Sequence, residues 1–207
     1  MTTGDCAAGY YCIAGSTWAF DATHYCDVTE YCPENSVAVS TCSAGTYQPN
    51  PLQDRCFTCP AGFYCPTTVT NDLTTYFCPK GYYCPDGTAS EFENPCPAGT
   101  YNDHYGATSI AECVDAPPGY YQSSTAAIEI TSANICTAGY YCELGSTTAT
   151  PTSGTGGQCT AGNYCPAGAP KMISCTPGQK CTTSGLGAPD ADCPAGYYCP
   201  QGTSSVG

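Results

Sequence analysis

Positive charge is nearly absent from this chain. Of 207 residues only four are Lys or Arg, against 17 Asp and Glu, for a formal charge of −13. Phosphate would be repelled and no basic patch is present to release counterions, so a nucleic-acid partner is excluded. Histidine is equally sparse, with only His24 and His104. Neither sits in a catalytic phrase, and an enzyme needs a convergent acid, base or nucleophile, so no catalytic residue and no enzymatic activity is expected. No apolar run approaches the roughly 20 residues that cross a bilayer, which argues against membrane insertion of this segment. No amphipathic period outlasts a turn or two, so almost no helix is expected. The hydrophobic fraction is carried by Tyr, Ala and Cys, with little Leu or Ile to fill a shared core, and each part of the chain must be held from within. The opening MTTGDC has neither a basic n-region nor an apolar h-region. The chain closes on CPQGTSSVG, in the turn that follows a repeat. The expectation is an ordered segment of a longer secreted precursor, in which Met1 says nothing about a translation start.

What is present instead is cysteine, 20 of them. That composition belongs to a disulfide scaffold in an oxidising place, extracellular or at the cell surface. Zinc sites want closely spaced thiol pairs with a second pair or histidines nearby. The only C-x2-C is Cys56 to Cys59, with both histidines far away, so no metal or other cofactor is expected.

The cysteines fall in a recurring phrase, clearest in CPAGYYC (Cys193 to Cys199) and repeated as CTPGQKC (Cys175 to Cys181), CTAGNYC (Cys159 to Cys165), CTAGYYC (Cys136 to Cys142), CPKGYYC (Cys78 to Cys84), CPAGFYC (Cys59 to Cys65), CDVTEYC (Cys26 to Cys32) and CAAGYYC (Cys6 to Cys12). Phrases beginning at Cys42 and Cys96 lack the second cysteine, and APPGYYQ (Ala116 to Gln122) lacks both. The central place, Gly9, Thr29, Gly45, Gly62, Gly81, Gly99, Gly119, Gly139, Gly162, Gly178 and Gly196, recurs roughly every 19 residues, which makes residues 1–207 one continuous array of about eleven repeats.

Six extended residues would separate two cysteines by roughly 20 Å, whereas a disulfide needs their Cα atoms about 5.5 Å apart. A turn between them is compulsory, and glycine stands midway, where φ > 0 carries no penalty. Pairing inside the phrase is therefore reasonable. Gln48 and Asn102 replace the second cysteine in repeats that gain another at Cys56 and Cys113, while Ala116 and Gln122 lose both together, so no orphan is left. The preferred scheme joins Cys6–Cys12, Cys26–Cys32, Cys42–Cys56, Cys59–Cys65, Cys78–Cys84, Cys96–Cys113, Cys136–Cys142, Cys159–Cys165, Cys175–Cys181 and Cys193–Cys199. A staggered scheme between neighbouring repeats also leaves no orphan, and sequence does not settle connectivity. Each short loop contributes about 2 kcal/mol in the chain-entropy model.

The place before the closing position is tyrosine in every repeat except at Lys180, whereas the place before that varies. Neighbours in an extended segment point to opposite faces. The repeated tyrosine is thus expected to pack on its own backbone or the next repeat, with the variable place facing outward. A second turn follows the closing cysteine, as in CPDGT at Cys84 and CPQGT at Cys199. The linkers are rich in Ser and Thr, most densely over residues 145–157, which read equally as a flexible polar loop or as an O-glycosylation cluster at Thr147, Thr148, Thr150, Thr152, Ser153 and Thr155. Asp190 with Asp192, and Glu91 with Glu93, offer oxygen ligands to calcium, but no EF-hand or comparable loop surrounds them, and they read as solvated acids.

The consensus C-P-A-G-Y-Y-C-P-x-G-[ST], with the variant CPAGTYNDHYGATSIAEC from Cys96, resembles the ephrin-receptor-like and growth-factor-receptor-like cysteine-rich repeats of large extracellular proteins, abundant among protist surface proteins. The resemblance covers nearly the whole chain and speaks to architecture more than activity. It implies a small disulfide-rich fold: tandem repeats of short β-hairpins and turns forming an elongated rod, with no catalytic residue to carry over. The family pattern fails at Ala116 and Gln122, where the array should be loosest or lean on its neighbours. The expectation is a structural extracellular protein that self-associates, a glycosylated subunit of a filament, surface coat or flagellar-hair-like appendage. The alternative is a receptor or adhesion ectodomain spacer that presents a binding module, with Trp18 and Phe20 or the loop around His104 as its contact.

Overall fold

A computed structural model describes residues 4–67 and 72–205. The outermost ends of the expected array, Met1 among them, lie outside the described residues. The chain divides into two compact bodies, Met1–Pro95 with His104–Glu112, and Cys96–Asp103 with Cys113–Gly207. Both are built from the same hairpin.

Each repeat opens with a tight turn in which the N–H after the central residue donates to the carbonyl three residues earlier, as in Phe63 to Pro60 at 3.2 Å and Tyr140 to Thr137 at 3.1 Å. The third turn residue must take φ > 0 in this type II geometry, and the central glycines have φ between +81° and +91°. The chain then runs on into an antiparallel pair. In the first body β1 (Glu30–Tyr31) pairs with β2 (Ser40–Thr41) and β3 (Thr46–Tyr47) with β4 (Phe57–Thr58). In the second, β5 (Thr100–Tyr101) pairs with β6 (Val114–Asp115), β7 (Tyr140–Cys142) with β8 (Gly156–Gln158), β9 (Asn163–Tyr164) with β10 (Ile173–Ser174), and β11 (Gln179–Lys180) with β12 (Ala191–Asp192). Four further repeats make the same pairing as single bridges, Tyr10 with Tyr25, Phe63 with Phe77, Tyr82 with Pro95 and Tyr120 with Ile135. The register is constant in each body: the residue after the central place opposes the residue just before the next repeat opens. Helix is confined, among the described residues, to two single-turn 3₁₀ segments, Ile110–Glu112 and Ser132–Asn134.

An isolated two-stranded hairpin is marginal in water, and what fills the interior here is sulfur. The buried apolar residues are cysteines together with Ala107, Ala116 and Ala169. Ten disulfides close the array, with Cα–Cα distances of 5.6–6.1 Å, and they join the cysteines consecutively, Cys6–Cys12 through Cys193–Cys199. The fold is a small disulfide-rich one of tandem hairpin repeats. Ten such bonds belong to a secreted or extracellular setting. Residues 145–157 take part in the fold: they run into β8, Glu143 N–H reaches Thr155 C=O, and Ser146 is fully buried with its hydroxyl on the same carbonyl.

Candidate functional site

The arrangement that repeats along the chain is the contact between consecutive repeats, and it is made of main chain. The central N–H of one repeat donates to the carbonyl at the closing place of the next: Gly9 to Cys32, Gly45 to Cys65 and Gly62 to Cys84 in the first body, Gly119 to Cys142 and Gly139 to Cys165 in the second, all at 2.8 Å. The same central residue accepts at its carbonyl from the opening N–H of that next repeat, as Cys26 to Gly9 at 3.0 Å and Cys159 to Gly139 at 2.9 Å. Two more bonds complete the set. The second turn of the next repeat donates back to the opening carbonyl, as Gly87 to Cys59 at 2.8 Å and Gly168 to Cys136 at 2.9 Å, and the closing N–H reaches a carbonyl just past that turn, as Cys65 to Thr88 at 2.9 Å and Cys142 to Ala169 at 3.0 Å. Because all four bonds are main chain, side chains vary freely without breaking the contact.

Glycine answers two demands at the central place. Beyond φ, a Cβ at Gly139 would stand 2.3 Å from the Gly185 carbonyl oxygen, at Gly119 2.4 Å from that of Gly168, and at Gly45 2.5 Å from that of Gly87. Seven central glycines thus pack on the second turn of the repeat two places on, whereas Gly178 and Gly196 meet nothing within 4 Å among the described residues. Second turns tolerate side chains better: Asn35, Leu52 and Ala126 hold φ of 65°, 63° and 55° there.

Where a closing cysteine is missing, an amide takes its place. Gln48 and Asn102 are fully buried and Gln122 nearly so. Gln48 donates through Nε2 to Arg55 C=O and accepts at Oε1 from Asn50 N–H at 3.1 Å; Gln122 donates to Glu129 C=O and accepts from Ser124 N–H at 3.1 Å. The sequence reading treats these residues only as lost cysteines. No spacing signal sets them apart: the left-handed residue of the second turn lies four places after Gln48 (Leu52) and Gln122 (Ala126), but also four after Cys181 (Gly185). The repeat opening at Ala116 keeps the full ladder, with Ala116 N–H on Gly99 C=O at 2.8 Å and Gln122 N–H on Ser146 C=O at 2.8 Å. Support from neighbours holds it.

The repeated tyrosine packs on the next repeat at Tyr47 and Tyr141, as expected, but the variable place before it does not face outward. The place before the closing position and the variable place before it are both half-buried throughout, apart from Tyr197 and Tyr198. A two-residue strand lying between stacked neighbours has no solvent face large enough to separate the two sets. Tyr47 packs on the Cys59–Cys65 disulfide and Tyr141 on Cys159–Cys165 with Ala169, in each case the following repeat.

Of the acids marked as calcium candidates, Asp190 and Glu93 already have partners close in the chain and Glu91 is hydrogen-bonded to the Tyr64 side chain. Asp190 accepts from the N–H and hydroxyl of Thr182, whose hydroxyl above all holds its carboxyl below the usual range. Glu93 accepts from Ala89 and Ser90 N–H at 2.8 and 3.3 Å, and Asp192 lies in β12 opposite Gln179. The Thr23 hydroxyl and N–H, with His24 at 3.0 Å, pull Asp21 down to about 2. Glu112 is likewise lowered, chiefly by the Thr108 hydroxyl. These carboxylates close their own turns. Among the glycosylation candidates Thr147, Thr148, Thr150, Thr152 and Ser153 are exposed and Thr155 is half-buried. Trp18 and Phe20 are exposed and line a cavity of about 680 Å³ with Cys6, Cys12, Gly15 and Ser16.

Compared with known proteins, the chain matches no family model and no curated protein.

Proposed function

We propose that the chain is a structural extracellular protein, a tandem array of cysteine-rich repeats that serves as a subunit of a filament, surface coat or flagellar-hair-like appendage. The observation that carries this reading is the main-chain ladder between consecutive repeats. It lets identical contacts recur along an axis whatever the side chains, while each disulfide holds its own hairpin without a shared core. The motif's resemblance to ephrin-receptor-like and growth-factor-receptor-like repeats agrees with that role. The exposed threonines and Ser153 of residues 147–153 are proposed as O-glycan acceptors which, with the acidic surface, keep the polymer hydrated.

A second reading, a receptor or adhesion spacer, draws on the exposed Trp18 beside Phe20, Trp18 being the chain's single tryptophan and without counterpart in another repeat. Electron microscopy of the native, unreduced material separates the two. Continuous filaments whose axial repeat is commensurate with the hairpins are expected; separate short particles at high concentration would overturn the filament reading in favour of the spacer.

A further inference from the structure

The repeated tyrosine of each hairpin has a fixed opposite number, the residue two places before the next repeat opens. Tyr64 N–H donates to Tyr76 C=O and Tyr83 N–H to Asn94 C=O, each at 3.0 Å, while Tyr47 opposes Phe57 and Tyr101 opposes Val114 in paired strands. Along the whole sequence that opposite place holds a second tyrosine only at Tyr76.

The Tyr64 and Tyr76 rings meet edge to face, with centroids 5.5 Å apart and planes at 79°, which is direct aromatic contact. Both are half-buried in the first body, and Tyr76 packs on the Cys59–Cys65 disulfide, so the pair is held in place. Tyr10 and Tyr25 also stand opposite one another, but there the Tyr10 ring lies against Phe20 at 6.4 Å. A third group completes the cluster. The Tyr64 hydroxyl is hydrogen-bonded to the half-buried carboxylate of Glu91 in the next repeat, and burial first, then that carboxylate, raise the phenol above its ordinary 10. Tyr64 is thus a neutral phenol with a base on its oxygen.

We propose that Tyr64 and Tyr76 are the site of an oxidative cross-link, a Cε–Cε bond between the two phenols, formed by a haem peroxidase charged with hydrogen peroxide. Each phenol gives up one electron and its hydroxyl proton. The Tyr64 proton passes to Glu91 as the electron leaves, and the Tyr76 proton passes to water. The unpaired electron of a phenoxyl radical resides on the oxygen and on the two Cε carbons, so the touching rings join through Cε. Each joined carbon then releases its hydrogen as a proton and each oxygen regains one, which restores both phenols. The two electrons and two protons removed reduce one peroxide to two waters, and the chain is lighter by two hydrogens. The link closes the segment between Tyr64 and Tyr76 with a bond that thiols cannot reverse, beside a disulfide that they can. This inference does not rest on the filament reading: it needs only the oxidising setting in which the disulfides persist.

The test exposes the 207-residue chain, disulfides intact, to a haem peroxidase and limiting hydrogen peroxide at high dilution. Reduction, alkylation and cleavage before aspartate then part Tyr64 from Tyr76 at Asp72, in fragments 54–71 and 72–85. The expected product is a monomer two hydrogens lighter, with dityrosine fluorescence, whose two fragments are recovered joined. Tyr76→Phe keeps the ring on the disulfide but removes one phenol, and the joined species should vanish; Glu91→Gln keeps a hydrogen-bond partner but no base, and should slow the linkage severalfold. Non-reducing mass analysis checks the disulfides of both variants. A monomer that loses no hydrogen, dityrosine formed while the two fragments stay separate, or an equal yield from Tyr76→Phe overturns the site. Linkage in Glu91→Gln at the wild-type rate overturns the part given to Glu91.

Discussion

Replacing Gly139 by alanine tests whether the array is held by contacts that skip a repeat. Gly139 has φ +91° and Gly178 has φ +85°, so a Cβ strains the backbone equally at both, at roughly 1–2 kcal/mol. Their surroundings differ. The new methyl at Gly139 stands 2.3 Å from the Gly185 oxygen and 2.9 Å from its carbon, whereas at Gly178 it meets nothing within 4 Å. Backbone must move by several tenths of an ångström, and overpacking of this kind costs about 1–3 kcal/mol. The expected totals are about 2–5 kcal/mol for Gly139→Ala and about 1–2 kcal/mol for Gly178→Ala. An array of this kind opens locally rather than all at once, so the assay is native-state amide exchange at dilutions where the chain is monomeric. Cys159 N–H, held on Gly139 C=O at 2.9 Å, and Gly185 N–H, held on Cys159 C=O at 2.7 Å, are the reporters. At 1.4 kcal/mol per decade, the packing part alone should speed their exchange by roughly five- to a hundredfold over what Gly178→Ala does to its own neighbour, the Cys193 N–H held on Gly178 C=O at 2.8 Å. Equal acceleration around both sites would refute the reasoning and leave φ as the whole reason for glycine.

Three other expectations follow from the same geometry. Cys56 and Cys113 each stand three places before the next repeat opens, and in the cysteine-free repeat that place is Ala133, as far from Ala116 as Cys113 is from Cys96, 17 residues. The double variant Ala116→Cys/Ala133→Cys should therefore close an eleventh disulfide that stabilises its loop by about 3 kcal/mol; two alkylatable thiols in the oxidised protein would contradict this. Gln48→Ala removes a buried amide that ties Arg55 C=O to Asn50 N–H, costing about 1–3 kcal/mol locally. Exchange should quicken at Asn50 and Thr29 but stay unchanged at Gly139, and uniform quickening would count against local stapling. Asp21 has a folded pKa of about 2, below its ordinary 3.8, so its turn's contribution is complete above 3.8 and is lost as pH falls through 2. Thr23→Val, observed by carboxyl NMR titration, should return the midpoint toward 3.8, and an unmoved midpoint would exclude the Thr23 hydroxyl as the main cause.

Much of the architecture is legible in one dimension because its determinants are local. A disulfide across six residues, a glycine midway and a proline beside the cysteine each act within a single turn, so their spacing is enough to anticipate hairpin repeats in an oxidising setting. The site was less legible. Gln48, Asn102 and Gln122 look like losses in the sequence, and only their burial, with two side-chain hydrogen bonds each at Gln48 and Gln122, reveals them as replacements for the closing cysteine. The in-and-out alternation assigned to the tyrosines fails because strands of two residues lie between stacked neighbours and expose neither face cleanly.

The sequence alone thus determines where the chain turns, how often, and why no large core is needed, since each of those follows from the covalent geometry of neighbouring residues. Tertiary structure decides which main-chain groups meet. The four-bond ladder and the glycine seated under the second turn of the repeat two places on depend on how one hairpin lies on the next. Backbone N–H and C=O groups are the same in every residue, so no choice of side chains could announce them.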